Sequence, residues 1–93
     1  MDLSKTIIIN TDNSITEITP NKDNLFSLEE LQKIVGGYIE MVFLPNNFVL
    51  VVNEEGKLNQ LPINIKASLI MKEFNINDFI VGNALYCSLN QLD

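Results

Sequence analysis

Apolar residues recur along the chain with two periods, and each period predicts one kind of element. β-branched or alternating runs at residues 5–11 and 14–19 predict two strands. Asp12 and Asn13 between them predict a tight turn, because both residue types tolerate positive φ. The polar segment 20–25, which contains a proline, predicts a loop. The chain is therefore expected to open with a β-hairpin.

The next segment carries the pattern of a helix start. Ser27 precedes Glu30 by three residues, the spacing of a capping box, and Phe26 and Leu31 stand at the two hydrophobic staple positions. Helical spacing predicts one core-facing side of the helix. Its predicted members are Leu28, Leu31, Ile34 and Val35. Gly36, with Gly37 behind it, predicts a left-handed C-cap and a sharp exit.

A meander is expected after the glycines. Alternation over residues 38–44 predicts a strand. Its two predicted faces hold Ile39, Met41 and Phe43 on one side and Tyr38, Glu40, Val42 and Leu44 on the other. A turn at 45–47, read as type I followed by a residue with positive φ, leads to a central strand at 48–52 that is apolar on both faces. Gly56 is expected in the left-handed position of a second turn, so that residues 57–61 return as a short third strand that Pro62 ends.

The last third predicts a second helix and a final strand. Asn64 is a suitable N-cap for a shorter helix over 65–74, with Leu69, Ile70 and Phe74 as its buried positions. Residues 79–89 predict the last strand, with Gly82 inside it at a bulge or close approach.

This element order predicts one α+β domain over residues 1–93. A hairpin and loop occupy 1–24, and a core at 25–90 holds one main helix, a central meander, a second short helix and a final strand around a small mixed sheet. The order resembles the ubiquitin-like β-grasp, and a different α+β sheet built from the same elements fits it too.

Composition excludes several function classes. The net charge is −6, and the chain has neither arginine nor histidine. Without the guanidinium fork, and with an acidic balance, direct binding of nucleic acid is not expected. Without histidine there is no Ser-His or Cys-His pair and no histidine metal ligand, so neither hydrolase chemistry nor a metal or other cofactor is expected. The single Cys87 is expected to be a buried, unreactive small hydrophobe.

The apolar runs are too short to cross a bilayer, and residues 1–10 lack the apolar region and cleavage site of a signal peptide. A cytoplasmic protein without a membrane partner is expected.

Few side chains suggest a site. Glu54 and Glu55 are adjacent carboxylates, and their position in a tight surface turn explains them better than a role as an acid/base pair. Glu40 in mid-strand is expected to face water. Its alternative role is a sheet-face binding site in which Tyr38 stacks on a ligand and Glu40 accepts the ligand's hydrogen bonds.

Four blocks of residues, at 31–40, 51–58, 61–64 and 80–83, resemble a family catalogued as domain of unknown function number 3846, found in small proteins of bacteria, phages and mobile elements. The resemblance spans residues 28–87 and leaves out the N-terminal hairpin. It implies an accessory protein and transfers no activity. Its polar or aromatic positions, which are the candidate binding residues, are Tyr38, Glu40, Asn53, Glu54 and Asn64.

Three functional hypotheses follow. The first is a non-enzymatic protein that docks a protein partner or sequesters a small ligand. The second is an acidic mimic of nucleic acid that inhibits a host defence or restriction enzyme. The third is an enzyme using Glu40, Glu54 or Asp78 as its acid or base. An exposed edge strand leaves a homo-oligomer open.

Overall fold

Five strands and two helices form the fold, which a computed structural model describes for residues 1–92. The elements are β1 (Ile7–Ile9), β2 (Ile15–Glu17), α1 (Leu28–Val35), β3 (Ile39–Leu44), β4 (Phe48–Asn53), α2 (Ile65–Glu73) and β5 (Ala84–Ser88). The strands form one sheet in the order β2-β1-β5-β4-β3. The α+β class is confirmed. The expectation of a mixed sheet is wrong, because all four strand pairings are antiparallel.

The two helices cover opposite faces of this sheet, so there are two hydrophobic clusters. Leu31 and Val35 of α1 pack on one face, against residues that include Val49 and Val51. The other face packs against α2. This second cluster joins Ala67, Ile70 and Met71 to Leu50, Val52, Ile7 and Ile9. Strand β4 therefore gives alternate side chains to two different clusters, which confirms the interior strand expected at 48–52.

The N-terminal hairpin is confirmed, although each strand has only three residues. Strands β1 and β2 pair antiparallel, and Asn13 between them has a φ of 72°. The turn after β3 differs from the expected type I turn, because Asn46 and Asn47 both have positive φ. Two successive left-handed residues are favourable for asparagine, whose side chain tolerates this conformation.

The start of α1 matches its prediction in detail. The Ser27 side chain accepts a hydrogen bond from the Glu30 N–H, and the Glu30 carboxylate accepts one from the Ser27 N–H. Gly36 has a φ of 81° and ends the helix. The expectation that Leu28 is buried is wrong, since its side chain is 56% exposed. Phe26, fully buried just before the helix, supplies the apolar side chain at this end of the cluster.

Helix α2 begins after Asn64, as predicted, and ends at Glu73 rather than residue 74. Ile70 is buried, and Phe74 is partly buried against the same cluster. Leu69 is not buried, contrary to expectation, and is 57% exposed. The buried stripe runs through Ala67, Ile70 and Met71. At about 100° per residue, Leu69 lies almost opposite that stripe.

The segment between β4 and α2 departs most from the predicted meander. Residues 54–60 form consecutive turns, so the expected third strand at 57–61 is wrong. Backbone hydrogen bonds in this segment form between residues close in sequence; for example, the Leu61 N–H donates to the Gly56 carbonyl at 3.0 Å. Gly56 does not have the expected positive φ. Close packing explains this glycine instead, because a Cβ there would lie 2.7 Å from Val81 Cγ2.

The final strand is shorter than residues 79–89. Gly82 precedes β5 and has a φ of 76°, so it is a left-handed turn residue rather than a bulge within a strand. Its N–H donates to the Pro62 carbonyl at 2.8 Å, and Ile63 forms an isolated bridge with Val81. Residues 80–82 therefore pair with the segment before α2, and the chain enters the sheet only at Ala84.

Candidate functional site

Tyr38 and Glu40, the predicted binding pair, line two separate shallow depressions. Tyr38 precedes β3, is 64% exposed and borders a depression of about 310 Å³ together with Gly37 and Asn59. Glu40 is exposed on β3 and borders a smaller depression of about 120 Å³ with Glu54. The two side chains therefore do not enclose a common site, and a binding role for either stays a prediction.

Asn53 lies between these depressions and is largely buried. Its side-chain N–H donates to the Val35 carbonyl at 3.1 Å, and its side-chain oxygen accepts from the Glu55 N–H at 2.8 Å. A Cβ on Gly37 would lie 3.0 Å from the amide nitrogen of Asn53. The amide thus joins the end of α1 to the turn after β4, and Gly37 makes room for it.

Asn64 is fully buried at the start of α2. Its side-chain nitrogen donates to the carbonyls of Ile9 at 2.8 Å and Gly82 at 2.9 Å. Its side-chain oxygen accepts from the Ala67 N–H at 3.1 Å. The two amide protons and the oxygen are all engaged within the protein, so this residue connects β1, the turn before β5 and α2.

The three carboxylates considered as acid or base residues all border the smaller depression. Glu40, Glu54 and Asp78 line it together with Lys57, whose ammonium lies 2.5 Å from the Asp78 carboxylate. The hydrogen bond from Lys57, with a second from the Phe79 N–H, holds the pKa of Asp78 below its ordinary value. A carboxyl group that acts as a general acid needs a raised pKa, so Asp78 is suited to an ion pair rather than to proton donation.

Cys87 is buried, as expected, and lies in the hydrophobic cluster that contains Leu31 and Val35 of α1, named here the α1-side cluster. Desolvation raises its pKa to about 12. Since the thiolate is the nucleophile, this thiol is unreactive in the folded protein. Among residues 1–92, no three Asp, Glu or Cys side chains are grouped closely enough to hold a metal ion.

A depression of about 570 Å³ lies between the loop at 20–25 and the first turn of α1. Its lining mixes charges of both signs, among them Lys22, Asp23, Glu29 and Lys33. Among the N–H groups at this helix end, that of Glu30 is already bonded to the Ser27 side chain. This arrangement gives no preference for one ligand charge.

The exposed side of α2 is the feature that the sequence reasoning missed. It carries an apolar groove of about 410 Å³, named here the α2 face. Its apolar residues are Ile63, Ile65, Leu69, Ile76 and Phe79. The signal was available, because Ile65 and Leu69 are spaced i, i+4 and form a second apolar stripe on a helix whose first stripe faces the core.

The described part of the chain has no helix with the length and hydropathy needed to span a membrane. In comparisons with known proteins, the model of one family, described as Domain of unknown function (DUF3846), matches residues 4–93. No curated protein and no solved structure matches the chain. The family match includes the N-terminal hairpin, which the resemblance at 28–87 left out. The chain belongs to the DUF3846 family over essentially its whole length.

Proposed function

We propose that this chain is a non-enzymatic accessory protein that docks a protein partner on the α2 face. The observation that carries the proposal is the exposure of large apolar side chains at one place. Ile63, Ile65, Leu69 and Phe79 are 58%, 54%, 57% and 47% exposed. Contiguous apolar patches are uncommon on monomeric soluble proteins and are typical of interaction sites.

The charges around the groove indicate the chemistry of the partner. Lys72 and Asp78 are the charged residues that line it. Asp78 is paired with Lys57, whereas Lys72 makes no ion pair within residues 1–92. In a chain of net charge −6, the α2 face therefore offers an unpaired cation beside apolar residues. A partner that presents an apolar helix or loop with a nearby carboxylate complements it.

The other hypotheses lack comparable support. A nucleic-acid mimic needs a continuous negative field, and here Lys5 pairs with Glu17 and Lys57 with Asp78. A small ligand needs convergent unsatisfied polar groups. The described residues contain no buried side-chain nitrogen or oxygen without a hydrogen-bond partner. The family resemblance supports a bacterial, phage or mobile-element origin as part of this proposal.

A pair of matched variants tests the proposal. Leu69→Gln removes an apolar side chain from the α2 face without changing charge, and Leu28→Gln makes the same change on α1, at 56% exposure against 57%. The tagged wild-type chain and both variants would capture proteins from the native host for identification by mass spectrometry. The expected result is a specific partner held by the wild type and Leu28→Gln but lost by Leu69→Gln.

Binding of the purified partner should also weaken in Lys72→Gln, because that variant removes the unpaired cation. A partner captured equally by Leu69→Gln, or an unchanged affinity in both α2 variants, would show that the α2 face is not the docking site. Metabolites recovered in place of a protein would favour the ligand hypothesis instead.

A further inference from the structure

Strand β3 lies at one edge of the sheet and has few of the features that prevent an edge strand from pairing with another chain. It bonds to β4 on one side and has no strand on its other side within residues 1–92. It is six residues long and has neither lysine, proline nor a bulge. Its only charged residue is Glu40. Edge strands that avoid pairing are usually short or carry a lysine, a proline or a bulge.

The opposite edge provides a comparison. Strand β2 has only three residues, and Glu17 at its end pairs with Lys5 at 2.9 Å. Short length and charge are both devices that discourage the addition of a strand. The two edges of this sheet are therefore unequal, and β3 is the one on which an extended backbone can add.

The hydrogen-bond pattern shows which backbone groups of β3 are free. The Glu54 N–H donates to the Tyr38 carbonyl at 2.8 Å, so the pair of Tyr38 and Glu54 is hydrogen-bonded. Bonded and non-bonded pairs alternate in an antiparallel ladder, and the register has no bulge. Glu40, Val42 and Leu44 thus bond to β4. The N–H and C=O groups of Ile39, Met41 and Phe43 point away from the sheet.

Ile39, Met41 and Phe43 are complementary to the same three residues of a second copy of the chain. When a second β3 lies antiparallel with Met41 opposite its own copy, Ile39 lies opposite Phe43 and Phe43 opposite Ile39. Every outward N–H and C=O of the three residues then has a partner, and every directly opposed pair on that face is apolar. Met41 and Phe43 are 38% and 63% exposed, so their side chains are available for this contact.

We infer that two copies of this chain pair through β3 around a two-fold axis at Met41, forming one continuous ten-stranded antiparallel sheet. The axis makes the interface isologous, as in most homodimers. Pairing of two short edges buries less than the roughly 1,200 Å² of a standard interface, so the dimer is weak and depends on concentration. Each copy has a net charge of −6, so added salt strengthens the association by screening repulsion.

Glu40 is the residue that limits this pairing. In the inferred register it lies opposite Val42 of the other copy, and the two Glu40 side chains are diagonal neighbours on the same face. Like charges directly opposite each other destabilise a strand pair, and diagonal neighbours are still within reach of long side chains, so the two carboxylates repel each other. Glu40→Gln is therefore expected to tighten the dimer by about two- to fivefold. A purely solvated Glu40 on a monomer would give no such effect.

Sedimentation equilibrium of the full chain from micromolar to millimolar concentration tests the inference. The wild type should show a monomer–dimer equilibrium that salt and Glu40→Gln both shift toward dimer. Phe43→Lys should abolish the dimer, because it places charge in the apolar row. Leu69→Gln on the α2 face is the matched control and should leave the dimer unchanged. Loss of the dimer in this control would assign it to the α2 face and overturn the inference.

Amide hydrogen exchange supplies a residue-level readout that does not depend on any substitution. The amides of Ile39, Met41 and Phe43 should exchange freely in dilute protein and gain protection as concentration rises. Those of Glu40, Val42 and Leu44 should be protected throughout. A chain that stays monomeric at millimolar concentration in high salt, with the three outward amides always unprotected, would overturn the inference. It would do so without affecting the proposed docking on α2.

Discussion

The side-chain amide of Asn53 donates a hydrogen bond to the backbone carbonyl of Val35 at 3.1 Å, joining the end of β4 to the last turn of α1. The same side chain accepts from the Glu55 N–H, so one asparagine satisfies a helix end and begins a turn. Helix ends leave carbonyls without partners, and a buried one must find a donor elsewhere. Asn53 is thus part of the fold as well as a border of the depressions near Tyr38.

Asn53→Ala should lower the free energy of unfolding by about 1–3 kcal/mol, the usual cost of leaving a buried polar group unpaired. Asn59→Ala is the control, because Asn59 is exposed in the same region. Chemical denaturation of both variants makes the comparison. If the two variants unfolded at the same denaturant concentration, the hydrogen bond would contribute nothing to stability.

Substitutions at Asn64 should separate its cap from its two amide donors. Asn64→Ser keeps a good N-cap oxygen but loses the bonds to Ile9 and Gly82, and should cost about 1–3 kcal/mol. Asn64→Ala loses the cap as well and should cost about 1 kcal/mol more. Equal denaturation midpoints for the two variants would show that the bond to the Ala67 N–H is not stabilising.

Two glycines with positive φ should respond differently to alanine. Gly36 has open space around its missing Cβ, so Gly36→Ala should cost only the backbone strain of about 1–2 kcal/mol. At Gly82 a Cβ would also lie 2.8 Å from Leu61 Cδ1. Gly82→Ala should therefore be the less stable variant in thermal melting. Matching losses would show that Leu61 moves aside freely.

Acid should weaken the ion pair between Lys57 and Asp78. The pKa of Asp78 is lower in the folded than in the unfolded chain, so the stabilisation is present above the unfolded value and is lost as pH falls through the folded one. The effect is small because both side chains are half exposed. In Lys57→Gln the pKa of Asp78 should rise, as NMR titration of its carboxyl carbon would record. An unchanged titration would assign the shift to the Phe79 N–H alone.

Cys87 should report global unfolding. Its side chain is fully buried and desolvation raises its pKa, so a thiol reagent at mildly alkaline pH should modify it only when the α1-side cluster opens. The rate of modification should rise with denaturant in parallel with the loss of circular dichroism. Rapid modification of the native protein would show that this cluster opens locally.

Local sequence signals predicted most of the helices and strands. Contacts between segments distant in sequence determine which of their side chains are buried. Ser27 and Glu30 identify a helix start from four residues, and the structure has the same cap. Leu28 and Leu69 have the spacing of core positions, yet helical periodicity alone does not show which side meets a sheet. Gly56 was assigned to a turn geometry, and only the proximity of Val81 explains it.

The candidate site residues also depend on contacts that a local sequence pattern does not reveal. Asn53 and Asn64 are candidate binding residues because they are polar positions of the family resemblance, but each bonds to a residue far away in sequence. Asn53 reaches Val35, 18 residues earlier, and Asn64 reaches Ile9, 55 residues earlier. A sequence pattern cannot distinguish such long-range bonds from a surface that binds a ligand. The α2 face had a sequence signal, in the second apolar stripe of its helix, but it needed the structure to show which stripe is exposed.

The two-sided burial of β4 carries a consequence for folding. In a strand with one polar face, a shift of one residue exposes the whole apolar set, which penalises misalignment strongly. Val49, Leu50, Val51 and Val52 are all apolar, so the same shift in β4 would merely exchange similar side chains between the two clusters. Correct alignment must then come from the polar end of the strand. Asn53 lies at that end, and its hydrogen bond to the Val35 carbonyl of α1 favours the observed register of the sheet.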